Sequence, residues 1–254
     1  MSKRQWMISI AAILVIALLV VWSKMNFAGK NRIISEIQVE IESDSSGQFL
    51  SNQEVVRIIQ DKIGNPIGKP ASDLQLTQLE LHLMKVPYIE NANIFVSFDG
   101  KLKTKIIERK PIIRITNQRN KSFYLDTFGV QMPLKKGVQP NVLVANGIIP
   151  IVYEPGTKCI SKIGRELIQL AAFFASNELW NAQFEQCYVD KLNRYLLIPR
   201  VGKHSIVLDN LVDISEKFEN LRLFYVKGLP TVGWNRYTEI DISYENQIIG
   251  RTTE

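Results

Sequence analysis

The residues that could do chemistry in this chain are few. It has only two histidines, His82 and His204. His82 stands two residues after Glu80, a spacing that puts the pair on different faces of a helix. His204 is followed by Ser205, with Asp209 nearby, and these are the residue types of a nucleophilic triad. A triad depends on geometry, however, and neighbours on one strand point to opposite faces, so His204 and Ser205 are expected not to meet. An ordinary strand histidine is the expectation. Asp241 and Glu245 are a carboxylate pair of the kind acid–base catalysis uses, but a solvated strand face accounts for them better. Cys159 and Cys187 are too few for a disulfide-built scaffold, and no Cys-x-x-Cys occurs. They can pair in an oxidising compartment; two small buried hydrophobes is the simpler expectation. Lys101, Lys103 and Lys105 form a basic stripe, yet no aromatic residues interleave it for base stacking. A solvated face or a protected sheet edge is expected there. G-x-S-x-G, P-loop and H-E-x-x-H motifs are all missing. The sequence therefore gives no catalytic residues, no metal site and no cofactor, and predicts a protein that is not an enzyme.

The most strongly specified stretch is Trp6 to Trp22, WMISIAAILVIALLVVW. It carries no charge, and as a helix it spans roughly 25 Å, the short end of a bilayer crossing. A Trp at each end suits the two lipid–water interfaces. A cleaved signal peptide shares the charged start at Lys3 and Arg4, but no good small-x-small cleavage site follows. The expectation is an uncleaved transmembrane helix over residues 6–24, with residues 1–5 as a short tail. Lys and Arg flank the stretch on both sides, so charge alone does not orient it. The remainder, of globular composition and modest net charge (+6 for the whole chain), is long enough for one or two domains.

Ile33 to Ile41 alternates in its second half and predicts a half-buried strand, with Ile37, Val39 and Ile41 facing inward. Ser51 and Glu54 have capping-box spacing before a stripe of Val55, Ile59 and Ile63 that stops at Gly64. Ser72 and Gln75 repeat that spacing before Leu76, Leu79 and Leu83, a helix ending at Val86-Pro87. Ile89–Phe98 and Leu102–Glu108 read as a hairpin around Asp99-Gly100. The order is strand, helix, helix, strand, strand. Beyond Pro111 the chain reads as β-rich. Short strands are expected at Ile112–Thr116, Phe123–Leu125, Tyr195–Pro199 and His204–Leu208. A helix is expected at Ile163–Ser176, on Leu167, Leu170 and Phe174. Asp213 and Glu216 would cap a second, on Ile214, Phe218, Leu221 and Tyr225, ended by Gly228-Leu229-Pro230. Ile240, Ile242 and Tyr244 alternate with Glu239, Asp241 and Ser243 in a closing strand, Tyr237 to Gly250.

An apolar anchor followed by β-α-α-β-β resembles a POTRA domain. Val86-Pro87-Tyr88-Ile89-Glu90-Asn91-Ala92, the hairpin and then Glu108-Arg109-Lys110-Pro111 resemble the FtsQ/DivIB bacterial cell-division family. So do Asp126-Thr127-Phe128-Gly129, Leu143 to Gly147 and Ile240-Asp241-Ile242-Ser243-Tyr244. The fold class that follows is α+β: an N-terminal transmembrane helix, a POTRA domain over residues 25–110, then a β-rich domain with two helices over residues 111–254. The short tail, and Ser243 where relatives commonly carry a basic residue, depart from the pattern.

The resemblance implies a cytoplasmic N-terminus, a periplasmic body and a divisome scaffold that binds FtsB/FtsL-like membrane coiled-coil proteins at the septum, with no nucleic acid or small-molecule substrate. The expected contact is strand addition along Thr238 to Ile249, since a closing strand leaves a row of backbone groups unpaired. The residues assigned to it are Glu239, Asp241, Ser243, Tyr244, Gln247 and Ile248. Tyr244 matches a family tyrosine used in that contact, while its phase with Ile240 and Ile242 equally suits a core role. Of Ile248 and Ile249, consecutive and apolar, one is expected to be exposed unless a partner covers it. A secretion or outer-membrane assembly factor would share the POTRA domain but continue into repeated barrel strands, which are not found. A tethered periplasmic hydrolase would need a convergent polar site.

Overall fold

The computed structural model describes residues 13–20, 32–43 and 47–252. Residues 13–20 are helical and exposed; the tail 1–5 and the rest of the expected anchor lie outside the described residues. Among the described residues no helix is long and apolar enough to cross a membrane. The chain divides into two compact units, one from the residues up to Glu42 and Leu50–Glu108, the other from Ser43–Phe49 and Arg109 onward.

The first unit contains β1 (Glu36–Glu42), α1 (Asn52–Ile63), α2 (Leu76–Leu83), β2 (Ile89–Val96) and β3 (Lys101–Glu108), the order read from the sequence. Helix α1 begins where local chemistry demands. Ser51 Oγ accepts the Glu54 N–H at 3.2 Å, and the Glu54 carboxylate accepts the Ser51 N–H at 2.8 Å. The second expected box does not form. Residues 69–71 are pinned in extended form, because Ile34 N–H donates to Lys69 O and Ala71 N–H to Arg32 O. Ser72 is thereby left in a tight 3-10 turn, Ala71–Asp73, and α2 starts after Gln75, whose side chain caps nothing.

Val55 and Ile59 of α1 and Leu79 and Leu83 of α2 pack with Ile89, Ile94, Leu102 and Ile106 of the sheet. The sheet order is β1-β3-β2, with β1 parallel and β2 antiparallel to β3. The lysine stripe is therefore on the central strand and not at an edge. Parallel pairing sets Lys101 against Glu36 and Lys105 against Glu40, with N–O separations of 3.3 and 3.4 Å. Such exposed pairs add little stability, but they account for the charges. Glu80 reaches from α2 to accept the Ile94 N–H of edge strand β2 at 2.7 Å.

The second unit runs β4 (Pro111–Thr116), β5 (Ser122–Asp126), β6 (Gln131–Pro133), β7 (Leu143–Gly147), α3 (Lys162–Ala175), α4 (Glu178–Gln183), β8 (Phe184–Val189), β9 (Tyr195–Pro199) and β10 (Ser205–Leu208). It continues through α5 (Ile214–Leu223), a π turn (Phe224–Gly228), α6 (Leu229–Val232), β11 (Glu239–Asp241) and β12 (Ile249–Arg251). Nine strands form one sheet in the order β12-β11-β10-β9-β8-β7-β4-β5-β6.

Alternate strand residues, among them Ile113, Ile115, Phe123, Cys187, Leu197, Ile206 and Ile240, share one buried cluster with Leu167, Leu170 and Phe174 of α3, Trp180 of α4 and Phe218 and Leu221 of α5. The helices thus cover one face of the sheet. The centre of the cluster is aromatic: the Phe218 ring lies 5.0 Å from Phe173, 5.4 Å from Phe174, 5.0 Å from Trp180 and 6.0 Å from Phe184. Between β5 and β6, Asp126 organises the turn read as D-x-x-G. It accepts the Phe128 and Val130 N–H groups and pairs with Arg109 at 2.9 Å.

Two expectations about α5 fail. Asp213 makes no side-chain cap: it sits in the left-handed region at φ 49°, not in the extended conformation from which a capping side chain reaches the first turn. Nor does Gly228-Leu229-Pro230 stop the helix. A π turn absorbs one extra residue, and Pro230 falls in the first turn of α6, where a missing N–H costs nothing. Helix α4 and strand β8 have no counterpart in the sequence reading.

Phe218→Ala is expected to destabilise the second unit by about 3–5 kcal/mol, because four rings lose a shared partner. A urea titration followed by Trp fluorescence checks this through the contact with Trp180; an unchanged midpoint would contradict it.

Candidate partner-binding site

The closing segment is not one strand. It is a short hairpin: β11 runs parallel to β10, and β12 returns antiparallel to β11. Local polar chemistry ends β11 early. Asp241 Oδ1 accepts the Ser243 N–H at 2.9 Å, an Asx turn, and Ser243 Oγ accepts the Asp209 N–H at 3.0 Å. Lys217, buried on α5, holds the Asp209 loop from behind through Asn210 Oδ1 at 2.9 Å. Asn246 then takes φ 54°, a left-handed conformation that Asn tolerates, and the chain reverses.

The six residues assigned to strand addition are consequently dispersed. Glu239 and Asp241 are on β11, inside the sheet, and Glu239 pairs with Arg251 of β12 at 3.1 Å. Ser243 belongs to the turn. Tyr244 is 54% exposed and outside the core cluster. Gln247 is exposed and Ile248 is partly buried against the core. Neither Ile248 nor Ile249 is fully exposed, contrary to expectation, because the hairpin return tucks both half into the unit.

One edge of the sheet is β12, paired on one side only among the described residues; β6 forms the opposite edge. Two residues of β12 were missed from sequence. Gly250 packs flat on the Tyr237 ring, where any Cβ would lie 2.4 Å from a ring carbon, and Arg251 holds Glu239. The signal was present: an Asp-x-Ser turn followed by Asn246 marks a reversal.

The other candidates resolve into structural contacts. Glu80 serves Ile94, and His82 is half-buried on α2. His204 is 2% exposed; its Nε2 is 2.8 Å from the Tyr225 hydroxyl, while Ser205 Oγ turns toward Thr238 O. The two do not bond to each other, and Asp209 faces Asn210 and Lys217. Asp241 is engaged by Ser243, and Glu245 is exposed in the turn. Cys159 and Cys187 are both free and buried, and burial pushes the Cys187 thiol far above its ordinary range. Among the described residues no group of three or more His, Cys, Asp or Glu side chains converges as a metal site.

A POTRA-like unit followed by a β-rich unit that ends in a short edge hairpin defines an interaction scaffold. A POTRA-like domain model matches residues 32–107. The model described as FtsQ/DivIB, C-terminal related, matches residues 110–251, over half of the chain. The chain belongs to the FtsQ/DivIB family, and that membership supports a cell-division scaffold role with division proteins as the general class of partner. A search of curated proteins finds no match to this chain.

Burial holds the His204 imidazole below its ordinary value near 6.5, with the Trp234 backbone pulling the other way. The unfolded chain therefore takes up the proton first. Stability is full above the unfolded value and is lost as pH falls through the folded one. The melting temperature should fall between about pH 7.5 and pH 5, and His204→Gln should flatten that slope. An identical slope in the variant would assign the pH dependence elsewhere.

Proposed function

We propose that this chain is a single-pass inner-membrane protein of the division machinery. Residues 6–24 are the anchor and residues 1–5 the cytoplasmic tail. The POTRA domain (25–110) and the β domain (111–254) stand in the periplasm at the septum, where they link early and late division proteins by binding FtsB/FtsL-like coiled-coil partners. The family match over residues 110–251 supports the reading.

The observation that carries it is β12, a three-residue edge strand beside the exposed Tyr244. Its outward backbone groups are the ones a partner strand can complete. The partner pairs with β12, so the six assigned residues divide by role. Tyr244, Gln247 and Ile248 lie on the approach to the edge. Glu239, Asp241 and Ser243 keep the hairpin in shape through Arg251, the Asx turn and the Asp209 loop.

Tyr244→Glu should cut capture of the FtsB-like partner at least about tenfold and abolish its septal recruitment, while the unfolding free energy of the body from a urea titration stays within about 0.5 kcal/mol of wild type, as for an exposed site. Capture at the wild-type level would overturn strand addition. Depletion of the protein should give unseptated filaments; normal division without it would overturn the division role.

A further inference from the structure

A second surface of the β-rich unit is unoccupied by anything in the reading above. Leu179, Trp180, Val201, Tyr225, Val226 and Trp234, with the polar Gln183 and Arg222, line a cavity of about 260 Å³ between α4, the end of α5 with its π turn, and the β9–β10 loop. Trp180 and Tyr225 form its inner wall, and the apolar rim stays in water: Val226 is 61% and Val201 55% exposed. Contiguous apolar surface of this kind on a folded unit marks an interaction site.

The groove is held in shape from beneath. The Tyr225 hydroxyl is fixed on buried His204, and Trp234 packs on the Tyr225 ring at 5.4 Å. Gly202, at φ 95°, lies so close to the His204 imidazole that a Cβ would sit 2.5 Å from Cε1. The π turn that presents Tyr225 and Val226 is itself a rare element, frequent at functional sites.

Size and charge together select the occupant. Small-molecule sites run to roughly 300–1,000 Å³; this one is smaller and fits about one or two bulky side chains. The surrounding sequence is basic, with no carboxylate between Glu219 and Glu239. Lys203, Lys227 and Arg236 are exposed and make no ion pair among the described residues, whereas Arg222 of the lining is already paired with Glu219 at 2.6 Å, and Glu178 precedes Leu179 in the chain, so the balance around the cavity stays basic. We propose that this groove docks a segment of a protein partner that carries one bulky apolar side chain flanked by carboxylates. A concave site favours an inserted side chain over a lipid surface, which is met by protruding side chains.

The test uses the full-length chain in zwitterionic nanodiscs and two labelled twelve-residue peptides, each with a Phe-Leu centre, one flanked by glutamates and the other by lysines. The acidic peptide should bind, shift Trp emission and weaken as salt rises, while the lysine peptide binds at least tenfold more weakly. Val226→Glu should abolish binding, and Lys227→Glu with Arg236→Glu should reverse the peptide preference. Tyr244→Glu should leave binding unchanged, so failure here and failure of strand addition at β12 are separable. Equal binding of the two peptides, or no binding of either, would overturn the proposal. So would Val226-dependent flotation of the chain with phosphatidylglycerol vesicles in place of peptide binding, which would assign the groove to lipid.

Discussion

The packing of four aromatic rings around Phe218 is the interaction on which the β-rich unit depends. One helix residue there joins the long amphipathic α3 to α4 and β8, each only six residues long. Aromatic contacts of this type add roughly 0.5–1.5 kcal/mol each beyond the area they bury. The same packing decides what is left outside. Trp180 touches Phe218 with one part of its ring system and faces the apolar groove with another. The inward stripe of α5 leads directly into the π turn, so the position of Tyr225 follows from that of Phe218.

A second constraint is polar. The closing hairpin is shaped by a relay of short-range contacts from Lys217 through Asn210 and Asp209 to Ser243 and Asp241. None of these is strong alone. Their effect is positional: they stop β11 after three residues and hand the edge of the sheet to β12. The geometry makes β12 the accessible backbone at this corner of the sheet.

The sequence was most legible where structure is local. Ser51 and Glu54 specify a helix start within four residues, and the hairpin at Asp99-Gly100 needs only its own turn. It misled where a distant segment intervened. Ser72 has cap spacing, but pairing of residues 69–71 with residues 32–34 fixes the backbone first. Alternation through Ile240, Ile242 and Tyr244 suggested one long strand because a pattern of side chains does not register a turn made by Asp241. Strand β8 was invisible because a bulge at Phe184 breaks its alternation. At the candidate site the segment was legible and its shape was not. Gly250 and Arg251 matter through contacts across the hairpin, with Tyr237 and Glu239, that only the fold creates.

Glu80 has a consequence for the other unit. Its carboxylate occupies the outward Ile94 N–H in the middle of β2, the edge of the three-stranded sheet. A foreign chain laid along β2 would meet a rung already taken, and it would have to displace a charged acceptor to run through. The eight-residue margin is thus stoppered at its midpoint. Fibril-like stacking of one copy on the next is discouraged there by a single side chain, which leaves this rim chemically quiet.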